Sequence, residues 1–325
     1  LIGRYQGQYW SVDADQGNAD GWENRRTRFG FNLRLYRDFL IHSELKFNPD
    51  DSSAGPEMDT AYVKWTPAAT GFAARLGRLS YVYIGMERST SSRKISTFER
   101  GQLVDQLMPS RAIGLHLEKN IDKFVIQGGL YSGSIGKGFD KVDAGLVAGL
   151  GLAYKFPLFL KKGNLHLDYL YNDGDPGNNA FKPYRQIVSL WYKGNRGAFG
   201  LGMDLTGGSG GFAGQPDVLG FTLLPTYDIS NSLWIGGDKL QLALRYQYAN
   251  SDGDNGLQLQ DRYEQEVTAG EGDRYQAFYT GLNYLIYGDR LKLMAGAEYS
   301  NMKDTANDGG EFRGWTYLAG LRLFF

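Results

Sequence analysis

The sequence contains no cysteine and only nine prolines among its 325 residues. Without cysteine, a disulfide framework and haem attachment through a Cys-x-x-Cys-His motif are both excluded. The low proline content excludes a collagen-like chain. The net charge is −1, which gives no strong electrostatic footprint for nucleic acid, so we expect no nucleic-acid partner.

Long apolar runs are also lacking. No segment approaches the roughly 18 apolar residues that a membrane-spanning helix needs, and the longest candidate, 144–159, is interrupted by Gly, Lys and Pro. The mean hydropathy is −0.40. A low mean hydropathy is compatible with a membrane β-barrel, because its strands show lipid only every second side chain.

What the sequence has is an alternation of apolar and polar residues that recurs along the whole chain. In residues 26–35, Thr27, Phe29, Phe31, Leu33 and Leu35 share one face, and three arginines lie on the other. Successive strand side chains point to opposite faces, so this pattern predicts one apolar and one charged wall. The same alternation returns in 163–172, 238–249, 290–300 and 312–325, with Tyr and Trp near the ends of the apolar stripes.

The alternation predicts sixteen strands. They are placed near 2–12, 25–37, 39–48, 58–66, 71–80, 111–119, 123–132, 143–156, 163–172, 183–193, 196–206, 217–228, 238–249, 274–287, 290–300 and 312–325. Short turns alternate with longer polar segments near 13–24, 49–57, 81–110, 133–142, 173–182, 207–216, 250–273 and 301–311. We therefore expect an all-β, antiparallel transmembrane barrel with short periplasmic turns and long extracellular loops, as one domain over 1–325. A soluble β-propeller is the alternative, but no four-strand repeat is visible.

Three segments resemble the phosphate-selective porin O/P family of outer-membrane porins. Residues 87–100, with Thr90-Ser91-Ser92-Arg93 and then Glu99-Arg100, resemble that family's third loop. Residues 75–78 resemble the entry into the loop, and 24–31 resemble the basic start of the second strand. The resemblance implies a homotrimer in the outer membrane of a Gram-negative-type bacterium, with 81–110 folded inward as a constriction.

The resemblance also implies residues that bind anions. Arg93 takes the basic position after Thr-Ser-Ser, and Arg25 and Arg26 take the positions of paired wall arginines. Phosphate-specific members would also carry an arginine ladder on mid-barrel strands, whereas the polar face of 143–156 offers only Lys155. We therefore expect general or weakly anion-selective passage of small anions and other small solutes.

Alternation places many charged residues on the lumen face. Neighbours on one face are about 6.6–6.8 Å apart, so one anion can visit them in turn. Alternation gives Arg26, Arg28, Arg34 and Arg75 as candidate pore residues, the resemblance adds Arg25 and Arg93, and the loop 81–110 adds Arg88, Lys94 and Arg100. Further basic residues that alternation places on the lumen face are Arg4, Lys46, Lys64, Lys155, Arg185, Lys239, Arg245, Lys292 and Arg322, against the acids Glu44, Glu118, Asp143, Asp168, Asp204 and Glu298. Rings of basic side chains select anions. The alternative is that the arginines pair with wall carboxylates such as Glu44.

Other polar residues have simpler interpretations. His42, His116 and His166 fall on the lumen face and are interpreted as wall residues rather than a metal site or pH gate. The acidic stretch 13–20 is interpreted as solvated turn chemistry, with calcium or lipopolysaccharide bridging as the alternative. No metal and no cofactor are expected. Small side chains at Gly145, Gly149, Gly200 and Gly202 are taken as the subunit contact of a homotrimer.

Three functions remain open. The first is a passive diffusion porin embedded in outer-membrane lipid and lipopolysaccharide. The second is a barrel enzyme, which the lack of a Gly-x-Ser-x-Gly elbow disfavours, so no enzymatic activity is expected. The third is a structural sleeve for a partner protein, which would not need a basic third loop. Because the chain begins at Leu1, we expect that a signal peptide preceded it.

Overall fold

Sixteen strands form a closed antiparallel barrel in the computed structural model. The structure describes residues 1–48, 55–79, 84–132, 145–157, 160–177, 180–231, 233–234, 236–260 and 262–325. The barrel strands are β1 (Ile2–Ala14), β2 (Gly17–Leu35), β3 (Phe39–Phe47), β4 (Glu57–Trp65), β5 (Phe72–Leu79), β6 (Ala112–Ile121), β7 (Phe124–Ser132), β8 (Val147–Lys155), β9 (Lys162–Asn172), β10 (Tyr184–Arg196), β11 (Phe199–Gly211), β12 (Val218–Asn231), β13 (Lys239–Ser251), β16 (Arg274–Asp289), β17 (Leu291–Lys303) and β18 (Phe312–Phe324). Strand β1 pairs with β18 and closes the barrel.

The alternation in the sequence becomes the two faces of the wall. Leu33, Leu150 and Leu293 are exposed on the outside, whereas Arg245 and Arg322 are buried on the inside. Aromatic side chains stand on the outer surface at both ends of the strands, with Phe39 stacked on Trp65 at one end and Trp315 on Tyr317 at the other. Such aromatic girdles mark the two membrane interfaces of a barrel.

The expected strands are confirmed, but the expected loop at 13–24 is wrong. Strands β1 and β2 continue through this region as one hairpin, in which Asp13 pairs with Asn18 and Val12 with Ala19. Polar residues and Gly make the segment look like a loop. Its backbone nevertheless pairs across the hairpin. On the lumen face of this hairpin, the Trp10 ring packs on the Tyr263 ring, with ring centroids 5.3 Å apart.

Two loops fold into the lumen. Loop 3, described over 84–110, carries helices α1 (Met86–Ser89) and α2 (Gln102–Leu107); 81–83 of the expected constriction lie outside the described residues. Loop 7 (252–273) carries the short strands β14 (Leu257–Gln258) and β15 (Glu271–Gly272) and a 3-10 helix (Glu264–Glu266). The inward fold of loop 3 is confirmed. Residues 250–273 were expected to form an extracellular loop, and that prediction is wrong, because loop 7 also enters the lumen.

The two loops pack on each other through apolar side chains. Phe98, Leu103 and Leu107 of loop 3 belong to the same buried cluster as Leu257 and Leu259 of loop 7. Burial of this apolar surface stabilises both loops inside the barrel. In the described ranges, no helix is long and apolar enough to cross a membrane.

Candidate channel constriction and anion-binding site

A cavity of about 560 Å³ lies between loop 3 and the wall of β1–β4, and ten of its described lining residues are Arg or Lys and four are Asp or Glu. The basic residues are Arg4, Arg25, Arg26, Arg28, Lys46, Arg88, Arg100, Arg111, Lys182 and Arg262. The acidic residues are Glu44, Asp59, Glu99 and Asp105. The cavity is therefore strongly electropositive, although the chain as a whole has a net charge of −1.

A β-bulge brings two consecutive arginines into the lumen. Gln6 pairs with Arg26 and Gly7 with Asn24, so that Arg25 is the extra residue on β2. Strict alternation would turn Arg25 to the lipid, but a bulge can re-aim a side chain.

Both arginines bind Glu99 of loop 3. Arg25 donates from Nε and Nη2 to the two carboxylate oxygens at 2.7 and 2.9 Å, and Arg26 Nη2 lies 3.7 Å from Oε2. Burial alone would raise the pKa of Glu99, but the Arg25 and Arg26 guanidiniums outweigh burial and hold this pKa well below its usual range. Glu99 thus stays ionised and ties loop 3 to β2.

Arg28 pairs with wall carboxylates, as the alternative interpretation expected. Its Nη1 lies 2.6 Å from Asp59 Oδ2 and 3.6 Å from Glu44 Oε1. Arg111 binds the other oxygen of Asp59 at 2.7 Å. Because two guanidiniums share the Asp59 carboxylate, this group of three retains a net positive charge at the cavity surface.

The loop arginines Arg88 and Arg100 line the same cavity and bind backbone carbonyls of loop 3. Arg88 Nη2 donates to Ser110 O at 3.0 Å. Arg100 donates to Glu87 O at 2.9 Å and to Thr90 O at 2.8 Å. These bonds fix two cationic side chains at the loop surface.

The other four candidates lie away from this cavity. Arg93 is exposed and lines a smaller cavity of about 180 Å³ beside Ile2 and Phe325. Lys94 is exposed in a cavity of about 320 Å³ between loop 3 and β9–β12. Arg75 lies 3.7 Å from Glu118 of β6, and Arg34 is exposed near the β2–β3 turn. The structure thus gathers Arg25, Arg26, Arg28, Arg88 and Arg100, but not Arg34, Arg75, Arg93 or Lys94.

Some lining residues were missed. Lys182 and Arg262 lie in loops, where alternation gives no information, and Arg111 directly precedes β6. The partner of Arg111 is Asp59 on another strand, and nothing in the local sequence of either residue indicates the pair. Arg4 and Lys46 were placed on the lumen face by alternation but were not selected as candidates.

The opposite wall holds loop 3 in place with buried cations. Arg245 bonds to Glu87 and Glu298, each at 2.9 Å, and to Glu99 O at 2.8 Å. Lys292 Nζ donates to Arg93 O at 3.0 Å and to Ile95 O at 2.8 Å. Arg322 donates to Phe98 O. Moving loop 3 away would leave these buried cations without their partners on the loop, which is costly. The bonds therefore hold the loop against this wall.

Wall carboxylates bind the start of loop 3. Asp168 Oδ2 accepts from Gly85 N at 3.1 Å and from Trp191 Nε1 at 2.6 Å. Asp204 Oδ2 accepts from Met86 N at 2.6 Å. Asp143, also expected on the lumen face, lies outside the described residues.

The glycines taken as a subunit contact face inward instead. A Cβ at Gly202 would stand 2.3 Å from Met86 Sδ of loop 3, and one at Gly200 would stand 2.5 Å from Thr226 Oγ1. A Cβ at Gly149 would meet the Tyr131 ring at 3.4 Å. The interpretation of these three as outer-wall contacts is therefore wrong, because they lie on the lumen face of the alternation, and Gly202 makes room for loop 3.

The histidines are wall residues within polar networks. His42 bonds to Asn32 Oδ1 at 2.8 Å and to Thr60 Oγ1 at 2.9 Å, and His116 bonds to the Tyr131 hydroxyl at 2.8 Å. His166 stacks on Trp191 with ring centroids 3.5 Å apart. Among the described residues, no group of three or more His, Cys, Asp or Glu side chains is arranged to hold a metal ion.

Solved outer-membrane proteins share this fold. OmpT of Vibrio cholerae is 12% identical, with a TM-score of 0.62, over 100% of this chain and 96% of that one. The outer-membrane channel DcaP of Acinetobacter baumannii has the same identity, TM-score and coverage. A mutant of the Rh. blastica porin is 12% identical with a TM-score of 0.55, over 100% of both chains.

The sequence itself identifies the family. No protein with a curated description matches the chain. The profile of the family described as phosphate-selective porin O and P matches residues 2–182, which is more than half of the chain. The chain therefore belongs to the phosphate-selective porin O and P family and is a passive channel of the Gram-negative outer membrane.

Proposed function

We propose that this channel prefers small anions and that selection takes place in the 560 Å³ cavity between loop 3 and β1–β4. The observation that carries the proposal is the excess of Arg and Lys over Asp and Glu among the described lining residues, ten against four. A narrow cleft lined by one sign of charge focuses the field and concentrates counter-ions. Weak rather than tight binding suits passage, since an ion must also leave.

The position of the cations supports passage rather than capture. Arg25 and Arg28 are already bound to carboxylates at 2.6–2.9 Å, so an entering anion competes with fixed protein acceptors. Lys46 is exposed and has no such short ion pair among the described salt bridges. Anions therefore experience a positive field in the cavity, but Arg25 and Arg28 already have carboxylate partners and do not form a tight anion-binding site.

The reversal potential of the purified channel in a potassium chloride gradient tests this proposal. We expect its sign to show anion preference in the wild type. Lys46→Glu should shift it toward cation preference, because the exposed side chain lines the cavity. Lys303→Glu is the matched control, since Lys303 is exposed at the end of β17 and outside the three cavities described. A wild-type channel that prefers cations would refute the proposal.

We also propose that the channel is a homotrimer with no catalytic role, surrounded by outer-membrane lipid and lipopolysaccharide. Family membership supports the trimer, and closed cyclic symmetry is common among oligomers of identical chains. The inward-facing glycines give no support to it. Native mass measurement in mild detergent tests this, and a monomer would contradict it.

A further inference from the structure

The cavity of about 320 Å³ lies between loop 3 and the wall of β9–β12, away from β1–β4. Its lining includes Lys162 at the start of β9, Lys193 near the end of β10 and Gly200 near the start of β11, so it lies close to the short β10–β11 turn. None of its described lining residues also lines the 560 Å³ cavity. The two cavities are therefore separate sites.

The described lining of this cavity has three lysines and one acid. Lys94, Lys162 and Lys193 form no ion pair with any carboxylate in the described part of the chain. The acid is Glu87, and both of its carboxylate oxygens are engaged, one by Arg245 at 2.9 Å and the other by a backbone N–H of loop 3 at 2.8 Å. The three ammonium groups therefore have no neutralising partner within the cavity.

Lys193 is fixed inside the cavity. Its side chain is half-buried, and its Nζ donates to Thr90 Oγ1 of loop 3 at 2.9 Å. An ammonium group has three donors, so two remain for a bound anion. The charge of Lys94 acts on Lys193 from the side of the loop, and an anion between these two cations relieves their repulsion.

The cavity also has an apolar side. Leu224 of β12 lies on the lumen face between Thr222 and Thr226, at a position where alternation otherwise puts a polar side chain. Ile95 lines the cavity from loop 3, and its carbonyl accepts from Lys292 Nζ at 2.8 Å, which holds it in place. A small inorganic ion gains nothing from this surface, whereas an apolar group that covers it is removed from water.

We propose that the 320 Å³ cavity is a binding subsite for small organic anions that combine one anionic head with an apolar body. The head lies among Lys94, Lys162 and Lys193, and the body packs on Leu224 and Ile95. Lysine acts as a compact point charge without the planar fork that arginine offers to phosphate. The subsite therefore selects by charge and apolar contact together, which goes beyond the anion preference proposed for the 560 Å³ cavity.

Block of the chloride current by alkyl carboxylates tests the subsite. Acetate, butyrate and hexanoate are added in turn to the purified channel in a planar bilayer at a fixed potassium chloride concentration. The half-blocking concentration should fall at least tenfold from acetate to hexanoate, because each added methylene buries apolar surface. Hexylammonium has the apolar body without the anionic head and should not block. The subsite is refuted if hexanoate blocks no more strongly than acetate, or if hexylammonium blocks as strongly as hexanoate.

Two variants locate the block. Leu224→Ser should remove the dependence on chain length and leave the weak block by acetate unchanged. Lys193→Gln should raise the half-blocking concentration of hexanoate at least fivefold. Lys46→Gln, which changes a lysine of the 560 Å³ cavity, is the matched control and should keep the dependence on chain length.

Circular dichroism shows whether each variant retains its β-sheet content. A folded Leu224→Ser or Lys193→Gln channel with the wild-type response to hexanoate would contradict the subsite, and the comparison of acetate with hexanoate in the wild type tests it even if a variant does not fold. Failure of the proposed function is a different result, because it appears as cation preference of the wild type in a potassium chloride gradient.

Discussion

The two sides of the lumen carry the same type of side chain and use it differently. On β1–β4, Arg4 and Arg28 line an open cavity. On β13–β18, Arg245, Lys292 and Arg322 have the same orientation by alternation, but each is only 1% exposed and bound to loop 3. Loop 3 covers the cations of β13–β18, whereas on the other wall, which it meets through the Arg25–Glu99 ion pair, cations line a cavity. Alternation therefore predicts which side chains face the lumen, whereas loop placement decides which of them meet a solute.

The largest effect should come from removing a buried cation of the far wall. Arg245→Met would leave Glu87 and Glu298 without the guanidinium that both bind at 2.9 Å. Breaking such a buried pair typically costs about 3–5 kcal/mol, since a buried charge is left uncompensated. We expect a loss of that order in the free energy of unfolding, measured by urea denaturation in detergent.

A matched variant on the β1–β4 side should lose little stability. Arg262 pairs with Glu23 at 2.7 Å, but its side chain is 38% exposed. Such a pair contributes about 0.2–1 kcal/mol, so Arg262→Ala should change stability little. Equal losses in the two variants would show that the walls do not differ in role.

An intermediate effect is expected from two charges of loop 3 that lie outside the main cavity. Arg93→Glu with Lys94→Glu reverses two exposed side chains in the smaller cavities. The reversal potential in a salt gradient should move toward cation preference, and the shift should shrink at 1 M salt, where the Debye length is about 3 Å. Lys303→Glu, which lowers the net charge by two against four in the double variant, controls for the effect of charge outside the cavities. An unchanged reversal potential in a folded double variant would assign selectivity to the residues of the 560 Å³ cavity alone.

A further effect should be a pH dependence of loop 7. Burial, with a contribution from the neighbouring Glu298, raises the pKa of Glu264 to about 8 from an ordinary value of 4.5. Hydrogen bonds from Ser300, Tyr275 and the Gln260 backbone oppose this rise. The docked loop therefore holds a proton that the undocked loop loses above its ordinary pKa. Docking should weaken as pH rises from about 4.5 to about 8 and change little beyond that.

Hydrogen exchange of the loop 7 amides measures this effect. After correction for intrinsic rates, exchange in the wild type should speed up through that pH window. Glu264→Gln stays neutral at every pH and should show a flat profile. Identical profiles for the two proteins would contradict a role for Glu264 in docking.

The sequence predicts the barrel well because alternation is a local property that recurs in every strand. It also predicts an inward loop 3, through the resemblance of 87–100 to a family motif. It does not predict the bulge at Arg25, because one added residue reverses the expected side without changing composition. Nor does it predict loop 7, whose burial depends on Leu257, Leu259 and Tyr263 meeting surfaces that are distant along the chain.

The position of the Phe98–Glu99 segment has a consequence for how the barrel assembles. Phe98 O accepts from Arg322 of β18, and Glu99 binds Arg25 of β2, so the segment bridges the strands on both sides of β1. Loop 7 adds a second bridge nearby, because Tyr263 donates to Glu23 of β2 at 2.6 Å and contacts Gln8 of β1. Before β1 and β18 join, these partners lie at opposite edges of an open sheet. The contacts of this segment with β18 and with β2 can therefore exist together only after the ring has closed in this register.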